Sequence, residues 1–268
     1  MTILTQASPV EAVPALPRPP TKQELIEHYP ANFTWHQLKL FTNSGDLGLL
    51  KRHIELQKRY NTWSAGVVEK YGSVPNYLIT HRLQWGKPDT LSLFKSEIID
   101  EPPANTEDLP PTPYFSVETP PQYISIIQND WPYSIPPDVE HTVIWTKVPI
   151  YHPDLVHESI KDRIEQDGLW GFTGLESPPP SPSELPSHID SLAEWGITLD
   201  KMIVSPKGTA EVQALVETAG REVSNFVRNR WKEDVWETAW FVNPPRLQSI
   251  PSLAHIHVFA RKRGSHIN

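Results

Sequence analysis

The sequence predicts an α+β fold: an antiparallel sheet of four or more strands, a helical N-terminal layer and proline-rich surface insertions. Three observations predict it. Residues 33–85 carry helical periodicity, four later segments read as strands joined mostly by hairpin-length links, and a long amphipathic stripe precedes the last two of them.

The helical layer opens at Thr34-Trp35-His36-Gln37, which has capping-box spacing. Asp46 can cap a second helix with Leu47, Leu50 and Ile54 on one face. Tyr60, Trp63, Val67 and Tyr71 continue the rhythm until Gly72 stops it, and Pro75 suits the first turn of a further helix holding Tyr77, Leu78 and Leu83. Residues 152–167 read as helical from Pro153 onward. After Thr209, a natural cap, Val212, Leu215, Val216, Ala219, Val223, Phe226 and Val227 form a 3.6-period stripe, which predicts one helix over 209–228.

The strands are placed at 123–128, 142–148, 234–242 and 253–261. Asn129 to Pro137 is a rigid turn, and Asn243 to Pro251 is a connection too rich in proline to be a strand. The sheet is expected to be covered on one face. Residues 1–32, with five prolines in the first twenty, read as a disordered or loosely docked arm, and 33–263 as a single domain. Its proline-rich insertions fall at about 101–121 and 176–188; Ser177 and Ser181 in the second are candidate proline-directed phosphorylation sites, although a plain insertion is the simpler account.

Composition narrows the function. A chain of 268 residues has ample length for a core. A net charge of −8 argues against a nucleic-acid partner. There is no cysteine, so disulfides, thiolate metal sites and cysteine nucleophiles are excluded, and a reducing compartment is expected. No apolar run approaches the ~20 residues that span a bilayer, and the N-terminus lacks a secretory pattern. A cytoplasmic protein without a membrane partner is expected. Phosphate loops, dinucleotide fingerprints, nucleophile elbows and His-Glu-x-x-His motifs are all absent, so no cofactor is implied.

The last strand holds the most informative residues. Side chains alternate along a strand, so Leu253, His255, His257 and Phe259 share one face, while Ala254, Ile256, Val258 and Ala260 share the other and suit packing under the 209–228 helix. Two imidazoles side by side can ligate a metal, hold a phosphate, divide nucleophile and acid–base roles, or simply be satisfied polar residues of the sheet. A metal needs a third ligand, and His141 and Asp130 have no diagnostic spacing, so no metal site is assigned. The neighbouring strands are aromatic: Trp236, Thr238 and Trp240 share one face, and Trp145 and Lys147 another. Asp130, Asp138 and Glu140 read as solvated or capping groups. Ten tryptophans exceed the ordinary share; most are expected in the core, with Trp131 and Trp145 the candidates for stacking on a sugar or base.

Longer motifs carry a resemblance. Asn129-Asp-Trp-Pro-Tyr133, Glu140 to Pro149, Phe241 to Pro251 and Ala254 to Arg261 resemble the fungal N-acetylglucosamine-induced protein family, as do Tyr71 to Tyr77 and Arg82 to Trp85. That resemblance implies an intracellular protein of an amino-sugar response and a domain of unknown function. A more distant similarity links Gln248-Ser-Ile-Pro251, His255 to Arg261 and Pro137 to Lys147 to histidine-triad nucleotide hydrolases and transferases. It implies a nucleotide or nucleotide-sugar ligand, His255 at the nucleophile position and His257 at the third histidine, with Leu253 replacing the first. Lys147, Asn243, Gln248 and Arg261 would then contact phosphate or ribose. The alternative is a non-catalytic regulatory protein whose histidines are structural and whose proline tracts dock partners.

Overall fold

A computed structural model describes residues 18–100, 109–202, 208–248, 250 and 253–264. Residues 1–17 of the predicted arm and 101–108 of the first insertion thus lie outside the described residues. Five antiparallel strands form one sheet: β1 (Ile124–Gln128), β2 (Val139–Thr146), β3 (Leu169–Thr173), β4 (Trp236–Val242) and β5 (Ala254–Lys262). Their order across the sheet is β1-β2-β5-β4-β3, so the last strand in the chain lies at the centre. Val143 stands opposite His257, Trp145 opposite His255, and Phe241 opposite His257 from the other side.

Among the described residues, seven α-helices pack around it: α1 (Lys22–His28), α2 (Trp35–Asn43), α3 (Ile54–Tyr71), α4 (Val74–Tyr77), α5 (Lys161–Asp167), α6 (Ala210–Ala219) and α7 (Arg221–Arg230). The sheet is covered on both faces, not one. Toward α6 and α7, Ile144, Ile256, Val258, Ala260, Trp236, Trp240 and Val242 join Val216, Val223 and Val227 in the larger core. Toward α2, Val139, Ala239, Phe241 and Phe259 meet Phe33, Leu38, Leu40 and Phe41. The alternation of β5 holds as expected, since its small and branched residues face α6 and α7. Apolar clusters pack on both faces, which leaves the sheet no solvated side.

Several elements depart from the sequence expectation. Asp46 caps only a 3₁₀ turn, Leu47–Leu49, by accepting from the Gly48 amide at 3.2 Å; the long helix begins after His53. The stripe at 209–228 is two helices broken at Gly220, where a Cβ would stand 2.8 Å from the Trp240 ring. Gly171 in β3 is held to glycine by the same ring, at 2.6 Å. Residues 152–160 are 3₁₀ turns led by Pro153 and His157, so the predicted helix there shrinks to α5. Within the predicted arm, α1 is fixed by a capping box of Thr21 and Glu24, whose carboxylate also meets Arg18 and Arg59. The second insertion is docked: a 3₁₀ turn at Pro182–Ser187 buries Leu185, Leu192 follows it into the core, and Asn43 Nδ2 donates to the Pro180 carbonyl at 3.0 Å.

Candidate functional site

The centre of the α2-facing side of the sheet is polar and buried. His141 on β2 joins His255 and His257 on β5, all three under a tenth exposed. His141 Nε2 and His257 Nδ1 share a hydrogen bond of 3.0 Å. The ring of Phe241 stacks on His257 at 4.7 Å and 10°, Tyr133 stacks on it at 5.7 Å, and Trp145 lies 4.5 Å from His255. Tyr133 arrives from the rigid turn between β1 and β2, and Asn243 hydrogen-bonds its hydroxyl. Arg52 anchors that turn, donating to the Trp131 carbonyl at 2.8 Å with its guanidinium 5.7 Å from the Tyr133 ring.

Hydrogen bonds order the protons. The Leu253 carbonyl can only accept, so His255 Nδ1 carries the hydrogen in their 2.8 Å contact, and neutral His255 keeps an acceptor at Nε2. The Tyr133 amide donates to His141 Nδ1 at 3.3 Å. Neutral His141 therefore carries its hydrogen on Nε2, donates to His257 Nδ1 and leaves His257 a donor at Nε2. All three are neutral: burial pushes His141 and His257 well below the ordinary imidazole value, helped by the Arg52 charge. Burial also lowers His255, against the opposing pull of the Leu253 carbonyl. Among the described residues, these three histidines do not gather as ligands of one ion.

His141 also forms part of the wall of a cavity of about 330 Å³. Gln128, Asn129, Ser134, Asp138 and Glu140 are among its other polar groups, while Leu25, Ile26, Tyr29 and Phe94 make much of the apolar side. Lys22 and Lys95 stand at its edge, both exposed. His255 and His257 do not line it. Gln128 is held by Thr142 Oγ1 at 2.9 Å and Glu140 by Ser96 at 2.9 Å, so the polar corner is preorganised.

The other residues singled out by sequence scatter. Trp145 is at the histidines. Trp131 is buried at the α3 side among Tyr60 and Trp63. Trp236 and Trp240, expected as a wall beside the histidines, lie on the opposite face. Lys147 is exposed, its ammonium 4.6 Å from the Trp85 ring. Arg261 binds Asp138 at 2.7 Å, four positions along β5 from His257. Asn243 is buried, and its carbonyl accepts from Gln248 Nε2 at 3.1 Å. Nor are the carboxylates solvated: Asp130, with Asp89, grips the buried guanidinium of Arg82 at 2.7–3.0 Å. Sequence alone missed Tyr133 and Phe241. Extending the alternation of β2 back to Val139 would have put His141 on the face of Val143 and Trp145.

This buried histidine cluster on a five-stranded antiparallel sheet is of a class without an assigned activity. The chain belongs to the family described as "Protein of unknown function (DUF3605)", whose model matches residues 34–167 and 199–261. It is similar to N-acetylglucosamine-induced protein 1 of Candida albicans, 27% identical over 44% of this chain and 44% of that one. An uncharacterized protein of Saccharomyces cerevisiae is 28% identical over 48% of this chain and 57% of its own length. The chain thus spans about half the length of the curated relatives it matches. The solved structure of HTC1 aligns over 85% of this chain and 84% of that one at 21% identity, with a TM-score of 0.41. No helix among the described residues is long and apolar enough to cross a membrane.

Proposed function

We propose that this chain binds a small, neutral, polar ligand of monosaccharide size, the sugar end of a nucleotide-sugar being the best fit. The observation that carries this reading is the cavity against His141. A volume of about 330 Å³ lies at the small end of ligand pockets. An apolar wall and a fixed corner of amide, carboxylate and imidazole suit the two sides of a sugar ring. Burial keeps His141 neutral, so no imidazolium is there to hold a phosphate at that depth. Lys22 and Lys95 would meet a diphosphate at the edge. The relative's name, N-acetylglucosamine-induced, makes an amino sugar the first compound to try.

Phosphoryl transfer by His255 or His257, the chemistry of the histidine-triad resemblance, is a weaker reading. Attack needs access, and both are nearly enclosed. A regulatory role with structural histidines is the second reading, favoured by the mutual bond of His141 and His257.

A thermal-shift panel of N-acetylglucosamine, UDP-N-acetylglucosamine, UDP and AMP tests the proposal. Ligand at 100-fold its Kd should stabilise by about 2.7 kcal/mol. Ala31→Phe, which adds a ring at the cavity wall, should abolish the shift. If no sugar-bearing compound stabilises the protein, or Ala31→Phe keeps the full shift, the proposal fails; a shift by AMP and UDP alone would favour the nucleotide reading.

A further inference from the structure

The insertion and α2 bring together three metal-ligating side chains that the cavity does not use. His36 stands in the first turn of α2, Glu184 in the 3₁₀ turn Pro182–Ser187, and His188 caps that turn. One ligand atom from each lies within 4.8 Å of the other two. Glu184 Oε1 accepts from the Ser181 amide at 3.0 Å, which leaves Oε2 facing His36 Nε2 at 3.0 Å. The His36 and His188 rings are 5.4 Å apart.

We propose that His36, Glu184 and His188 form a binding site for a zinc-class divalent ion that clips the 176–188 insertion to α2. Two imidazoles and a carboxylate suit zinc, nickel or cobalt, whereas calcium and magnesium take all-oxygen sets. Metal–ligand bonds of about 2.0–2.2 Å in a tetrahedron require ligand atoms about 3.4 Å apart. The pair at 3.0 Å is near that already, and from the outer limit of 4.8 Å His188 needs to swing inward by about 1.4 Å. Half the His36 side chain is exposed, so solvent can supply the fourth ligand. The ion would reinforce contacts already present, the burial of Leu185 and the bond from Asn43 to Pro180. His36 falls within the part matched by the family, whereas Glu184 and His188 fall in the unmatched 168–198. It stands independently of the sugar proposal.

Equilibrium dialysis of the full chain against zinc chloride tests the site. One equivalent should bind, raise the Tm and slow proteinase K cleavage within 176–200. His36→Gln and His188→Gln should each weaken zinc binding at least tenfold with the metal-free Tm and circular dichroism unchanged, while His28→Gln, remote from the cluster, should bind as the parent does. Cobalt(II) in place of zinc should give a visible absorption band that His188→Gln loses. No uptake by the parent chain, or equal uptake by the three variants, overturns the site. Uptake that leaves cleavage unchanged overturns the clip.

Discussion

Toward α6 and α7, β5 presents Ala254, Ile256, Val258 and Ala260; toward α2, the same strand presents His255, His257 and Phe259. Both sets are enclosed to nearly the same degree. The first side is held by apolar packing, with Trp240 fitted between Gly171 and Gly220. The second buries imidazoles whose hydrogen bonds must be made in one order. Burial alone therefore does not distinguish them. The apolar side depends on shape, and the histidine side depends on shape and on protonation.

Breaking each side in turn should separate these dependences. Trp240→Ala opens the packed side and should cost about 3–5 kcal/mol in urea unfolding, by the same amount at pH 7.5 and pH 5.5. A loss confined to the lower pH would contradict the distinction. On the other side, His141→Phe leaves His257 Nδ1 without its donor and should cost about 1–3 kcal/mol. His141→Phe/His257→Phe should recover part of that loss, and a double-mutant cycle with no coupling would show that the 3.0 Å bond contributes nothing.

The next effect is in pH. Burial lowers the folded pKa of all three histidines, whereas in the unfolded chain they take up protons from about pH 6.5 downward. The unfolded state then binds more protons, so stability is full above about pH 6.5 and falls as pH drops below it toward the folded values. Each histidine contributes a slope of up to about 1.4 kcal/mol per pH unit. Urea titrations at pH 7.5, 6.5 and 5.5 should show that decline, and His257→Phe should make it shallower. The smallest effect is expected at Thr34→Ala, which removes the cap of α2 and should cost about 1 kcal/mol at either pH.

Local patterns made much of this legible. Alternation in 253–261 gave the two faces of β5, and the Thr34 capping box and the Gly72 stop bound real helices. Long-range pairing was not legible. His141 lies 116 residues from its partner, and only the β2–β5 register brings the two together. β3 escaped notice because it is short, centred on Gly171, and is defined by the tryptophan that packs on it. The break at Gly220 was hidden because Val216, Ala219, Val223 and Val227 keep helical spacing across it. Trp236 and Trp240 alternate as read, but which way a strand faces is fixed by its neighbours.

The central position of β5 has a consequence for synthesis. β1–β2 and β3–β4 are separate hydrogen-bonded ribbons, and only β5, which follows all four of these strands in the chain, pairs with both. Until residue 262 has emerged, each ribbon carries a bare hydrogen-bonding edge, the kind of surface that captures strands of neighbouring chains. A nascent chain stalled before β5 should therefore require a chaperone far more than one stalled just after it.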